Sequence, residues 1–540
     1  MSNVNNNADL AHENADLLCS KITLNPIKAA FEDSKNASTL GRVHFIGIGG
    51  AGMSVLAEML HEEGVSVSGC DREENDHTKR LEELGISVEI GQNASHVESA
   101  DVLVYSSAIK PNNPEIVAAY ANGVKLVHRS DILALLLASK TGVTVAGAHG
   151  KTTTSSLLSH ILSVAGTGEL ADPSYAIGGS IQAADGTVID GGHAGKGSVM
   201  VAEADESDGS FEKYRPSIAI VTNAEADHLD HYGSSEHYRE AFVEHVSHAI
   251  NHVIICADDE GARKVLEKMS DETLRATIAY GAYDSWASTS ARVQNLAQFA
   301  GIKHESEQAV SGREVFTLVL PGNIAGNAGN AGNAGNAGNA GKIEDSLSLE
   351  VSLLIPGLHN ARNASAAIIA AVLLGMKPED AARGAQSFRG ASRRFDIRGC
   401  VNGVTVVDDY AHHPTEIEAL LRAARRRYTS AKLRVLFQPH LFSRTRAFAS
   451  EFAKALALAD DVIVTGIFPA REKQEDFPNI HAETIVEAAK TQNLSVQIEA
   501  VEDMREAALK LTARAKSGDV LLTVGAGSIT DMTSVMLEAL

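Results

Sequence analysis

Twice in the first 160 residues an apolar run breaks into a glycine loop and then into a helical pattern. This repetition constrains the fold more than any other feature of the chain. Val43, Phe45, Ile46 and Ile48 lead into Gly47, Gly49, Gly50, Ala51 and Gly52; Val143, Val145 and Ala146 lead into Gly147, Ala148, His149, Gly150 and Lys151. A strand that ends in glycines and opens a helix must cross over before the chain can return, which builds a parallel sheet covered by helices. The first series continues with predicted strands at 65–70, 88–90, 102–106 and 125–128 and helices at 78–84 and 114–121. The second has a helix at 152–165 and strands at 199–202, 218–222 and 253–256. A third has strands at 404–407, 433–437, 462–465 and 520–524 and helices at 416–427 and 445–457. The chain is therefore an α/β protein.

Its 540 residues suit three or four domains. We expect a mobile tail over 1–40 rather than the short helix that 8–18 could carry, then domains over 41–139, 140–391 and 392–540. From Gly326 the triplet Gly-Asn-Ala runs five times to Gly341. Its flanks at 314–320 and 346–355 are β-like, so 322–345 is expected as a low-complexity insert expanding a hairpin loop, at a closure cost that grows slowly with length. With 47 Lys and Arg against 69 Asp and Glu the formal charge is −22. That balance argues against nucleic acid and anionic membranes as partners. It leaves small phosphates open, since loop N–H groups and one lysine suffice for those. There is neither a basic n-region before an apolar stretch nor an apolar run of membrane-spanning length, so a cytoplasmic protein is expected. Cys19, Cys70, Cys256 and Cys400 lie far apart with no CxxC pair, and neither a disulfide framework nor a structural zinc site is expected.

Six motifs carry chemistry. Gly47-x-Gly49-x-x-Gly52, with Asp71 ending the next strand, has dinucleotide-fingerprint spacing. NAD, FAD and a UDP-sugar all offer the pyrophosphate it would hold, so the motif does not choose among them. Gly150-Lys151-Thr152 ends a shortened phosphate loop, in which N–H groups cradle phosphates, Lys151 reaches the β/γ-phosphates and a threonine hydroxyl touches Mg²⁺. Glu203 closes a buried-type strand and is a candidate metal ligand. Asp205, Glu206, Asp208 and Asp230 are equally readable as solvated, and His228 follows the next strand. His359, Asn360 and Asn363 share the first turn of a small-residue helix, where they would contact a base or cap the helix. Asp408 to Pro414 and Gln438 to Thr445 follow successive strands of the third series and mark one functional edge. Arg425, Arg426 and Arg427 sit on a helix among acids and are expected as a solvated face.

In this order, together with Arg393-Arg394-Phe395-Asp396, the motifs resemble the muramyl ligases of peptidoglycan synthesis from about Gly41 onward. The resemblance implies three domains: an N-terminal Rossmann-like domain for a UDP-sugar, a central P-loop-type ATPase with a mixed sheet, and a C-terminal Rossmann-like domain. It implies an ATP-dependent, amide-forming ligase using Mg²⁺ or Mn²⁺, acting as a monomer or weak homodimer, with UDP-N-acetylmuramate and an amino acid as substrates. Carried over, Gly47, Gly49, Gly50, Ala51, Gly52, Met53, Ser54, Asp71 and Ser107 would hold the UDP-sugar. Gly147, Ala148, His149, Gly150, Lys151, Thr152, Thr153, His359, Asn360, Asn363, Arg394 and Asp409 would hold ATP. Thr152, Glu203 and His228 would bind the metal, and Tyr410, His412, His440 and Arg444 would receive the amino acid. Lys151, Glu203, His228, His412 and Arg444 would be catalytic. Later enzymes of the family use a carbamylated lysine after the metal histidine; residues 234–250 hold no lysine, which points to L-alanine as the amino acid. Ala148 replaces the usual threonine of the loop, and Leu441 stands where many relatives carry arginine. Three readings stay beside this one: a recycling ligase that adds a whole peptide to the same UDP-sugar; an NAD(P)-dependent oxidoreductase built on the first glycine motif, which would leave the Lys151 loop idle; and a non-catalytic nucleotide-regulated binding protein, which would not need Glu203 and His228 beside the phosphate loop.

Overall fold

The computed structural model describes residues 21–31, 36–182, 187–189, 191–304, 313–325, 346–470 and 472–540. The α/β expectation holds, with three sheets in chain order. The first is parallel throughout, in the order Ser87–Ile90, Ser66–Asp71, Arg42–Ile46, Val102–Tyr105, Lys125–His128. The order reverses beside Arg42–Ile46, and the crevice at such a switch point is where open α/β sheets bind ligands. The helix Ala51–Glu62 buries Met53, Leu56, Ala57, Met59 and Leu60, a stripe at helical spacing. Part of the expected tail lies on this domain: Ile22 is buried with Ile46 and Leu103, and Lys125 covers the Phe31 ring at 4.1 Å. Residues 8–18, weighed as a short helix against a mobile tail, fall outside the described residues.

The second sheet runs Gly192–His193, Ser174–Ala176, Val199–Glu203, Thr141–Ala146, Ile218–Val221, His252–Cys256, Thr277–Gly281, Gln298–Lys303, Glu314–Leu320, Leu347–Leu353. It is mixed: its middle is parallel and both edges are antiparallel. Thr141–Ala146, which feeds the phosphate loop, lies between Val199–Glu203 and Ile218–Val221, so three strand ends meet there. The helices Lys151–Ala165 and Leu358–Leu373 pack together across the sheet. The second buries Ala361, Ala364, Ala366, Ala367, Ala370 and Ala371, whose small side chains permit that close approach. The hairpin is present, with Leu320 opposite Leu347, and the triplet repeat that joins its strands lies outside the described residues.

The third sheet runs Asp396–Val401, Val404–Asp409, Val520–Val524, Leu433–Phe437, Asp461–Val464, Gln497–Ala500, with only the first pair antiparallel. One expectation fails here. The three arginines ending the helix Pro414–Arg427 are not a solvated face. Arg425 pairs with Asp460 at 2.6 Å, Arg426 with the buried Glu314 of the central domain at 2.5 Å, and Arg427 donates to the Leu354 carbonyl. Charge patterning sees only neighbours in sequence, and these partners come from other elements. No helix among the described residues is long and apolar enough to cross a membrane.

Candidate active site

Gly147, at φ +140°, lies so close to Thr222 that an added Cβ would sit 2.2 Å from its Oγ1, and Gly150 turns left-handed at φ +83° to start the helix Lys151–Ala165. Only glycine accepts both demands. The loop is tied to the neighbouring strand end: Thr222 Oγ1 and Asn223 Nδ2 donate to the His149 carbonyl at 2.6 and 2.8 Å, and the His149 N–H donates to Asn223 Oδ1. Lys151 Nζ donates to the Gly147 carbonyl at 2.6 Å and to both oxygens of Glu206 at 2.9–3.0 Å. Burial works against its ammonium, but Glu206, with Asp205 and Glu203, outweighs that and holds the Lys151 pKa above its ordinary value. Glu206 is therefore not solvated; it is 1% exposed.

Glu203 ends its strand beside the loop and accepts the Gly178 N–H at 3.0 Å; burial raises its pKa. Thr152, in the first turn of the loop helix, also bonds Glu203. His228 adopts a left-handed backbone at φ +51° and holds its Nε2 3.9 Å from Glu206 Oε1. Thr152 and Glu203 thus meet beside the loop, and His228 approaches Glu206, the carboxylate that holds Lys151. A hydroxyl and carboxylates are the hard oxygen donors that Mg²⁺ prefers, with His228 the less usual member.

A cavity of about 260 Å³ lies between the central and C-terminal domains. Its walls include Gly150, Thr152, His359, Asn363, Arg394 and Asp409, all expected at ATP. Asn363 backs Gly150, where a Cβ would meet its Oδ1 at 2.7 Å, while Asn360 donates to the Pro356 carbonyl. Burial lowers His359 to about 4, leaving it neutral. Two wall residues had no motif signal: Arg362 donates to Asp258 at 2.7 Å, and Glu416 sits at the junction. Its carboxylate lies 3.2 Å from His149 Nδ1 and 3.6 Å from Arg394, and it accepts the His412 and His413 N–H groups. Burial opposes protonation of His149, but Glu416, with Glu225 at 3.3 Å on its other nitrogen, lifts it to about 10. Glu416 closes a capping box with His413 at the start of Pro414–Arg427, which turns its carboxylate toward His149. Burial raises Asp409 to about 6, and its oxygens accept the Phe395 and Ala411 N–H groups.

At the expected amino-acid edge, the Tyr410 ring lies under Arg393 at 4.9 Å and Arg394 at 5.1 Å. His412 faces His440 at 5.5 Å between ring centroids, and burial lowers His412 to about 4. Arg444 reaches into the central domain and binds Asp227 through both carboxylate oxygens at 3.0 and 3.1 Å. Burial opposes that carboxylate, but Arg444 holds its pKa far below the ordinary range. Leu441 is buried and precedes the helix Phe442–Leu456 at φ +67°.

The first glycine loop lies apart from this cavity. Gly49 donates its N–H to Asp71 Oδ2 at 2.8 Å, so Asp71 braces the loop, and Gly50 opens the helix that carries Ala51, Gly52, Met53 and Ser54. Ser107 lies at the boundary with the central domain, 2.5 Å from Asp208 and 3.0 Å from His128, and Arg129 pairs with Asp205 at 2.9 Å. His128 and Arg129 belonged to no motif. Their chemistry is legible only once Asp205 and Asp208 are seen across the boundary.

The sequence matches the Mur ligase family, catalytic domain over residues 42–141, the Mur ligase middle domain over 145–371, and the Mur ligase, glutamate ligase domain over 393–527. It is 59% identical to a UDP-N-acetylmuramate–L-alanine ligase of Bifidobacterium adolescentis, covering 96% of each chain. It is 41% identical to the Renibacterium salmoninarum protein of the same name, over 94% of this chain and 97% of that one. Among solved structures it is similar to a UDP-N-acetylmuramate-alanine ligase from Thermotoga maritima, at 28% identity and a TM-score of 0.68, covering 92% of this chain and 98% of that one.

Proposed function

The chain belongs to the Mur ligase family, and from that premise we infer that it joins L-alanine to the lactyl carboxylate of UDP-N-acetylmuramate at the expense of ATP, in peptidoglycan precursor synthesis. The observation that carries the reading is the cavity between the central and C-terminal domains. Gly150, Thr152 and Asn363 line it from one side, next to Lys151, and Arg394, Asp409 and Glu416 line it from the other. The identity to alanine ligases over nearly the whole chain favours alanine over a peptide as acceptor.

In this scheme a carboxylate oxygen of UDP-N-acetylmuramate attacks the γ-phosphorus of ATP, ADP leaves, and an acyl phosphate forms. Lys151 leaves Glu206 for the transferring phosphoryl group, and the loop N–H groups hold the neighbouring phosphates. Thr152, Glu203 and His228 would hold a divalent cation, Mg²⁺ or Mn²⁺, which supplies further neutralisation of phosphate charge. The neutral amine of L-alanine attacks the acyl carbon, phosphate departs, and the amide remains. His412, kept neutral by burial, accepts the amine proton; Arg444 with His440 positions the alanine carboxylate. The first domain holds the UDP moiety at Gly47–Ser54, with Asp71 and Ser107 at its edges. Closure of the domains excludes the water that would otherwise hydrolyse the acyl phosphate. With ATP as a substrate, the enzyme works in the cytoplasm.

ADP release measured with UDP-N-acetylmuramate, with and without L-alanine, tests the assignment. Release should need both substrates, and a tripeptide should not replace alanine. Release indifferent to both would overturn the ligase reading, and preference for the tripeptide would reassign the enzyme to recycling.

A further inference from the structure

We propose that the first domain holds a structural zinc ion between His44, Cys70, His96 and Glu115, a site remote from the ATP chemistry. The four residues come from four elements: the strands Arg42–Ile46 and Ser66–Asp71, the 3₁₀ turn Ala94–Val97 and the helix Pro114–Asn122. Their donor atoms all lie within 4.8 Å of one another. Glu115 Oε2 is 3.1 Å from Cys70 Sγ and 3.4 Å from His44 Nε2, and Oε1 is 2.9 Å from His96 Nδ1. Tetrahedral zinc, with bonds of about 2.0–2.3 Å, separates its donors by about this much.

Three observations favour an ion over a plain hydrogen-bond cluster. His44 is 2% exposed, and its Nε2 is buried with no hydrogen-bond partner although it faces the carboxylate. The outer contacts are those that orient metal ligands: Ser68 Oγ lies 2.9 Å from His44 Nδ1, and the Asn93 N–H donates to Glu115 Oε1 at 3.0 Å. The donor set of one thiol, two imidazoles and one carboxylate is borderline-soft, suits zinc and is foreign to Mg²⁺ or Ca²⁺. Four protein ligands leave no open position, which marks a structural rather than a catalytic ion. On binding, the Cys70 S–H proton passes to solvent and a metal–thiolate bond forms. The Cys70 carbonyl accepts the Gly47 and Ile48 N–H groups at 2.8 and 2.9 Å, so the ion would brace the first glycine loop from behind. The absence of a CxxC pair argued against zinc, but that rule finds ligands only when they share a local motif.

The full chain, stripped with chelator and titrated with Co²⁺ in excess Mg²⁺, gives the test. One Co²⁺ per chain should bind, with tetrahedral visible bands and a thiolate-to-metal charge-transfer band. Zn²⁺ should displace it, and elemental analysis should then find one zinc per chain. Cys70→Ser should abolish the charge-transfer band and weaken binding at least about 10-fold. His96→Gln, at a partly exposed ligand, keeps the test decisive if the cysteine variant misfolds: the band should remain with affinity down at least about 10-fold. Binding without a thiolate band would place the metal elsewhere, at the Glu203 and His228 site or at the His149, Glu225, His413 group, and overturn the proposal. So would no Co²⁺ binding, a band that survives Cys70→Ser, or affinity unchanged in His96→Gln.

Discussion

Replacing Glu416 with glutamine isolates the charge that couples the phosphate loop to the C-terminal domain. Glutamine keeps an oxygen for the His412 and His413 N–H groups, so the helix cap survives and only the charge is lost. At 3.2 Å from His149 Nδ1, a full charge at an effective dielectric of about 20 is worth roughly 5 kcal/mol. That is nearly four decades of protonation equilibrium, about 1.4 kcal/mol each. His149, held at about 10, should therefore titrate near neutrality in Glu416→Gln, where burial opposes and Glu225 alone supports its charge. The sign of the stability effect follows. A histidine raised above its unfolded value of about 6.5 contributes fully below that pH, and the contribution is lost as pH rises through the folded value. The wild type should thus lose stability between about pH 6.5 and 10, and the variant should be nearly flat over the upper part of that range. Histidine-labelled protein, with the resonance assigned by His149→Gln, gives the titration directly by NMR. A wild-type His149 that titrates below about 7.5, or a variant indistinguishable from wild type, would refute the coupling.

Lys151→Met should cut ADP release at least about 100-fold and also destabilise the protein, because Glu206 is left buried without its cation; adding Glu206→Gln should restore the melting temperature but not activity. Arg426→Met should cost about 2–3 kcal/mol, below the usual value for a broken buried pair because His304 still bonds Glu314; calorimetry should show it, and Glu314→Gln in the same chain should recover most of the loss.

Elements with strong local signals were legible in the sequence. The two glycine loops and the buried strands before them declare themselves, because glycine tolerance and apolar runs are local properties. The hairpin around the triplet repeat was visible for the same reason. What stayed hidden is whatever depends on a partner distant in sequence. Glu206 and Asp208 carried no sign that they would be buried. Arg425, Arg426 and Arg427 looked like solvent-facing charge, and their carboxylate and carbonyl partners lie on other strands and loops. Residues 21–31 looked like tail because one short segment has no periodicity, yet Ile22 fills a gap beside Ile46. Glu416 carried no signal in the sequence, and only the fold turns it toward His149.

Four of the acids that follow the two strands flanking Thr141–Ala146 share a property that no one motif expresses: Asp205, Asp208, Glu225 and Asp227 each pair across a domain boundary. After Val199–Glu203, Asp205 meets Arg129 and Asp208 meets Ser107 of the first domain. After Ile218–Val221, Glu225 meets His149 within the domain but also Thr415 of the third, and Asp227 meets Arg444 of the third. One rim of carboxylates therefore holds both flanking domains, one on each side of the phosphate loop. These pairs are partly or wholly buried, so salt screens them less than exposed ones. They are also polar, so they can be broken and remade without exposing a greasy surface, as inter-domain contacts that must open and close require. The overall charge of −22 thus has two parts. Much of it lies on the outer surface, where it favours solubility. The acids that bear on function face inward at the boundaries, where arginine and histidine from the neighbouring domains neutralise them, and there a phosphate entering the loop would compete for Lys151 against Glu206. The carboxylate that holds Lys151 and two that hold the first domain, Asp205 and Asp208, thus share one short segment after Val199–Glu203.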